Sequence, residues 1–298
     1  MPNLAQAYTG ITIVLSAPTD TYLEFVDRFR EELITSKNTA LRVKVVNLQE
    51  VERLIVAENS ELVVALGVKA LEASSKLKLS TPVIGVYTPL PAFNQLLEKS
   101  GRDLGNFSAI VLDQPYDRQM LLIKTLLPNI KNVGVLLGKA SIQYDELIID
   151  AGEKAAIHIS RELVMQEADL IPKLQKILDA NEAILAIPDP LVYSRETAQP
   201  ILLTTYRHQK PVFGYSQSYV RAGALAAVYS NTKQLAKQAV EIAVKSQPAP
   251  GILPLPQTPK YFSIAINFQV ARSLNLTIAD EDKLYKKMLE AEASQDEN

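Results

Sequence analysis

"PVFGYSQSYVRAGALAAV", residues 211–228, holds two short apolar runs separated by a polar loop. The loop carries Tyr215, Ser216, Gln217, Ser218 and Tyr219, with no charge until Arg221. The runs do not alternate apolar with polar, so both faces of each strand are expected to be buried. That is the pattern of a parallel sheet covered by helices on both sides. A loop of hydroxyls, an amide and aromatic rings between two such strands then falls on one edge of that sheet.

The same pattern extends in both directions. Strands are expected at 11–16, 41–48, 61–67, 82–88 and 106–113, each followed by an amphipathic stretch. Asp20 reads as an N-cap, after which Leu23, Phe25, Val26, Phe29 and Leu33 share one helical face. A short helix is expected at 49–56. The series then restarts, with strands at 132–138, 158–165, 182–189, 211–216 and 223–230. Pro200 is expected to interrupt the helix over 194–208. The proline-rich stretch "SQPAPGILPLPQTPK" (246–260) reads as an extended crossover, followed by a last strand at 261–268 and a short helix. Two βα series imply two lobes, each a doubly wound α/β sheet.

Composition narrows the function. The 298 residues are 47% hydrophobic, enough for two modest cores, and a net charge of −2 gives no footprint for nucleic acid. With no cysteine there is no thiol nucleophile, disulfide or thiolate metal site. Two histidines far apart in sequence, His158 and His208, do not suggest a metal site or an imidazole base, and no cofactor is indicated. No run reaches the roughly 18–20 apolar residues that span a bilayer. Ala5-Gln6-Ala7 has the small-x-small pattern of a signal-peptidase site, either as the stub of a trimmed export signal or as ordinary coil. The acidic end "EAEASQDEN" is expected to fray.

In open parallel sheets ligands bind beyond the carboxyl ends of the strands. Here those ends carry Ser16 and Thr19, then Gly67 and Val68, then Thr88. In the second series they carry Gly138, Lys139 and Ser141, then Asp189 between two prolines, then Tyr215 and Ser216. Tyr144 and Tyr193 lie one helical turn beyond strand ends, where they either reach over a cleft or pack in the core. Asp189 is either a ligand contact or the cap of the next helix. The 215–219 loop is either a cleft wall or a polar turn with Tyr219 packed on the protein. "GVLLGKAS" (134–141) is one residue short of a phosphate loop, and Ala140 stands where Ser or Thr would hold magnesium, so nucleotide hydrolysis is excluded. Lys139 is either a ligand contact or a solvated lysine. Small hydroxyls, glycines and few charges suit holding a small polar molecule. No nucleophile–base pair is visible, and the chain does not read as an enzyme.

Three stretches carry a resemblance: "LLIKTLLPNIKNVGVLL" (121–137), "KPVFGYSQSYVRAGALAAV" (210–228) and "TPKYFSIAINFQVARSLNLTI" (258–278). They resemble the substrate-binding proteins of ABC transporters, in the group that includes tryptophan and tyrosine binders. The last follows that group's ending, a strand closing in Asn and then a helix of the form xxARxLxLxI. The resemblance implies a two-lobed periplasmic-binding-protein fold of the first type, with crossovers near 113, 226 and 255. The first lobe would take 8–113 and 227–254 and the second 114–226 and 255–280, leaving 281–298 as a tail. It implies a monomer outside the cytoplasm that closes on a small-molecule ligand in the cleft between its lobes and serves an ABC permease. A ligand sensor signalling to a membrane receptor is the alternative on the same fold. It also implies ligand contacts from Ser16, Thr19, Gly67, Val68, Thr88, Ser141, Asp189 and Ser216.

The chain departs from the group at the ligand's ammonium. Where the group has Ser-Asp, this sequence has Tyr215-Ser216, and serine supplies no countercharge for a buried cation. Lys139 and the tyrosines shift the expectation to a neutral or anionic ligand with an aromatic or amino-acid-like body.

Overall fold

The computed structural model describes residues 10–37, 41–51, 62–246 and 252–296. The chain separates into two compact units, one formed by Met1–Asp113 with Ser230–Phe262, the other by Gln114–Tyr229 with Ser263–Asn298. It therefore passes from one to the other after Asp113, Tyr229 and Phe262, later at the second and third points than the sequence suggested.

The first unit is a five-stranded sheet in the order β2-β1-β3-β4-β5, all pairs parallel. Its strands are β1 (Gly10–Leu15), β2 (Arg42–Asn47), β3 (Leu62–Leu66), β4 (Val83–Thr88) and β5 (Phe107–Val111). Four of the five are apolar on both sides because helices cover both faces; β2, at the edge, alternates. On one face α1 (Asp20–Thr35) packs beside α9 (Thr232–Ser246), burying Phe25, Phe29, Leu235 and Ala239. On the other, α2 (Val68–Ser75) and α3 (Leu90–Ser100) bury Leu71 and Phe93 against Val83 and Phe107. Leu23, expected on the buried stripe of α1, is 45% exposed, since the stripe runs through Phe25, Val26, Phe29 and Leu33. The helix expected at 49–56 lies mostly outside the described residues. Of the proline-rich stretch, 252–257 runs extended beside β5, where Gln257 bonds both Ala109 O and Val111 N.

The second unit is a six-stranded sheet in the order β11-β10-β9-β8-β6-β7. It comprises β6 (Asn132–Leu137), β7 (His158–Leu163), β8 (Ala183–Leu185), β9 (Val212–Gly214), β10 (Ala226–Tyr229) and β11 (Ser263–Ile266). All pairs are parallel except β10 with β11, so the sheet ends on an antiparallel edge. Its helices are α4 (Tyr116–Leu126), α5 (Asp145–Lys154), α6 (Leu170–Ala180), α7 (Arg195–Arg207), α8 (Gln217–Ala222), α10 (Phe268–Ser273) and α11 (Glu281–Asp296).

Three expectations change here. Pro200 does not break α7, which starts at a capping box between Ser194 and Thr197 and runs through the proline to Arg207. The polar loop after residue 216 winds into α8. The acidic end is helical as far as Asp296: α11 packs on α4 and β11, and Glu292 pairs with Arg118 at 2.5 Å. The interior partner Arg118, 8% exposed, was not visible in a charge count.

Candidate functional site

Each unit presents a distinct set of side chains at the carboxyl edge of its sheet, where open α/β sheets bind ligands. In the first unit, Ser16 follows β1 and its Oγ accepts the Ala70 N–H at 2.8 Å. It thereby satisfies a donor in the first turn of α2 from 54 positions away, because the helix's own N-cap, Gly67, has no side chain. Thr19 is exposed and caps α1, accepting the Tyr22 N–H at 3.4 Å. Gly67 has φ +88°, a conformation that glycine adopts without strain, and Val68 beside it is exposed. Thr88 is fully buried, and among the described residues its hydroxyl has no hydrogen-bond partner.

Two aromatic residues that sequence reasoning missed complete this edge. Tyr22, in the first turn of α1, stands with its hydroxyl in the space a Cβ at Gly67 would enter, where Ser16 Oγ is also only 2.8 Å away. Its ring centroid is 5.4 Å from that of Tyr87, which meets Phe25 edge-on at 5.7 Å. Tyr87 sits at a bulge: Val86 pairs with Ile110 and Thr88 with Val111, leaving Tyr87 unpaired in the ladder with φ +58°. No local signal in "VIGVYTP" announces a bulge. Burial pushes the Tyr87 phenol up to about 12, with the neighbouring Thr232 hydroxyl acting the other way. Asp113, just after β5, accepts the Leu90 N–H at 2.7 Å at the start of α3, and burial raises its carboxyl above the usual range.

In the second unit, the loops after β6 and β8 are tied together by one carboxylate. Asp189 Oδ2 accepts the Ser141 hydroxyl at 2.8 Å and the Ser141 N–H at 3.1 Å. Its Oδ1 accepts the N–H groups of Leu191 at 2.9 Å and Val192 at 3.1 Å. Ser141 Oγ in turn accepts the Gly138 N–H at 3.0 Å. The carboxylate lies so close over Gly138 that a Cβ there would be 2.7 Å from Asp189 Cγ, which accounts for the glycine. Asp189 is 4% exposed and Ser141 fully buried, so both serve the fold here rather than standing open as ligand contacts. Lys139 is exposed on the same turn.

Beside this staple lies a cluster of three tyrosines. The Tyr215 ring stacks on Tyr219 at 5.3 Å, and both meet Tyr193 edge-on, at 6.3 and 6.1 Å. The Tyr215 hydroxyl donates to Tyr193 O at 3.2 Å. Burial raises all three phenols above their ordinary value, so they are neutral donors at physiological pH. Tyr193 and Tyr219 are each 5% exposed, and Tyr215 is half-buried. Ser216 caps α8, accepting the Tyr219 N–H at 3.2 Å. Tyr144 is buried against Tyr116, 6.4 Å away. Of the residues predicted in this unit, Lys139, Tyr215 and Ser216 retain open surface; Ser141, Tyr144, Asp189 and Tyr193 are interior. Among the described residues no group of three His, Asp or Glu side chains stands together as a metal site.

A family model for ABC transporter substrate binding proteins matches residues 30–288. The chain belongs to that family. It is a binding-protein family, not an enzyme family, and the two sheets of this substrate-binding protein match the first type of periplasmic binding fold. A tyrosine-binding protein of Clostridioides difficile (strain R20291) is 21% identical over 242 residues, which are 79% of this chain and 69% of the relative. Among solved structures, an open, ligand-free substrate-binding protein with adhesive properties from Clostridium difficile aligns with a TM-score of 0.72 at 16% identity, covering 91% of this chain and 96% of that one. A domain from Streptococcus pneumonia in complex with L-Trp aligns with a TM-score of 0.60 at 19% identity, covering 93% and 98%. At these identities the structures speak for the fold. Among the described residues no helix is long and apolar enough to cross a membrane.

Proposed function

We propose that this substrate-binding protein works outside the cytoplasm, holding a neutral or anionic small molecule with an aromatic or amino-acid-like body for an ABC permease. One observation carries the ligand class. Asp189, the acid nearest the tyrosine cluster in the second unit, spends its carboxylate on four donors of its own loops. An ammonium brought there would lose its hydration without gaining a free countercharge. What that edge offers instead is neutral tyrosine surface, the Ser216 hydroxyl and the exposed Lys139, a set suited to a ring and to a carboxylate or other acceptor. The first unit adds a second aromatic pair at its own carboxyl edge.

The test is a thermal-shift comparison of 3-phenylpropanoate, L-phenylalanine and 2-phenylethylamine. They share a phenylethyl body and differ in which charged groups they carry. A ligand at a hundredfold excess over its Kd stabilises by about 2.7 kcal/mol. The expected order is the carboxylate first and the amine without effect. A larger shift with L-phenylalanine than with 3-phenylpropanoate overturns the reading, and half-buried Asp113 is then the acid to examine for the ammonium.

A further inference from the structure

We infer that Tyr22 and Tyr87 form the aromatic contact for the ligand's ring at the carboxyl edge of the first sheet, and that Tyr22 sets how large a group can approach Gly67. The inference rests on the small-molecule reading above and deepens it by naming the selecting residues. Nothing in a five-stranded parallel sheet requires a bulge at the end of β4. Yet the ladder skips Tyr87, which takes φ +58°, a left-handed backbone unfavourable for a large side chain. Bulges of this kind re-aim side chains beside functional sites, and strain that persists at a strand's ligand-facing end points to use. The re-aimed ring meets Tyr22 at 5.4 Å, tilted by 49°.

Tyr22 is only half-buried, and among the described residues its hydroxyl makes no hydrogen bond. That hydroxyl occupies the space above Gly67, at the start of α2, where the backbone of residue 67 has no side chain to shield it. Thr19 holds Tyr22 in place by capping the turn that carries it. The arrangement is a half-open aromatic shelf whose outer phenol closes off one end. A flat ring fits against it, and a bulky branched group at the Gly67 end does not.

The experiment is calorimetric titration of the full chain with 3-phenylpropanoate, using Tyr22→Leu and Tyr87→Gly. Leucine keeps apolar bulk on α1 without a ring. Glycine takes φ +58° without strain, so Tyr87→Gly deletes the ring while easing the backbone. The expected result is a Kd at least tenfold weaker in each variant, with the melting temperature of Tyr22→Leu near wild type and that of Tyr87→Gly lower, because the latter removes a ring packed on Phe25. Tyr22→Leu is also expected to gain binding for the β-branched probe 3-phenylbutanoate relative to 3-phenylpropanoate. Wild-type Kd in a folded Tyr22→Leu chain overturns the inference alone. Absence of binding of any of these probes to the wild-type chain overturns the function reading and this inference with it.

Discussion

The Ser141 hydroxyl donates to the Asp189 carboxylate at 2.8 Å, joining the loop after β6 to the loop after β8 across 48 positions of sequence. Both residues are buried, so the contact works in a medium where an unmet donor is expensive. Replacing Asp189 with Ala strands the Ser141, Leu191 and Val192 N–H groups together. A loss of about 3 kcal/mol is expected, against about 1 kcal/mol for Ser141→Ala. Because the two share one interaction, the double variant is expected to fall short of the sum by about 1 kcal/mol. Urea unfolding of the four chains measures this, and strict additivity would show the staple to be incidental.

Gly67 offers a second test, one that separates backbone from contact. Alanine there must adopt φ +88° and push its Cβ into the Tyr22 hydroxyl and Ser16 Oγ. Gly67→Ala is expected to cost about 2 kcal/mol, of which roughly 1 kcal/mol is the backbone term. In a Tyr22→Leu background the collision with the phenol is gone, and the cost is expected to drop to the backbone term plus the remaining contact with Ser16 Oγ. Equal costs in both backgrounds would mean that Tyr22 does not rest on Gly67 in solution.

These contacts mark where sequence reading succeeds and where it stops. Apolar runs such as 132–137 and 62–66 were legible because a strand covered on both faces leaves nothing for polar residues to do. The strand ends were legible for the same reason, since hydroxyls and glycines appear as soon as the cover stops. What the residues do at those ends was not legible. Asp189 looks the same in sequence whether it meets a ligand or four backbone and hydroxyl donors, and only the approach of Gly138 and Ser141 decides it. Tyr87 reads as an ordinary strand tyrosine because the bulge arises from its pairing with β5. Ser216, noted as a departure from an acidic pattern, is a helix cap for α8, a role too local to show in a run labelled polar loop. Glu292 looked like part of a solvated acidic end because its partner, Arg118, lies 174 positions away.

That pair predicts how the last helix is held. Arg118 Nε donates to Glu292 Oε1 at 2.5 Å, and the same guanidinium reaches Gln114 Oε1 at 2.9 Å. Breaking the pair leaves a mostly buried cation without its carboxylate. Glu292→Ala is therefore expected to cost about 2 kcal/mol, less than a fully buried pair because Glu292 is partly exposed. Hydrogen exchange is expected to quicken over 281–293 first, while strands β6 and β8 keep their protection. Uniform quickening across the second unit would mean that α11 is part of its core unfolding unit and not a separately docked element.

The tyrosine cluster predicts behaviour at high pH, with a definite sign. Tyr193, Tyr215 and Tyr219 have phenols raised above the ordinary value of 10.0, chiefly by burial. In the unfolded chain these phenols ionise near pH 10, whereas in the folded chain they stay protonated. Their contribution is therefore complete below pH 10 and is lost as pH rises through the folded values. Each phenol still protonated in the fold costs up to about 1.4 kcal/mol of stability per pH unit in that window. Tyr219→Phe removes one such titration while keeping the ring that stacks on Tyr215. Its stability relative to wild type is expected to be nearly flat from pH 7 to 9.5 and to climb by about 1 kcal/mol between pH 10 and 11. Urea unfolding across that range, followed by far-ultraviolet circular dichroism to avoid the phenolate absorbance, measures the difference. A constant difference through pH 11 would show that Tyr219 ionises as freely in the folded protein as in the unfolded chain, and that the cluster is open to water.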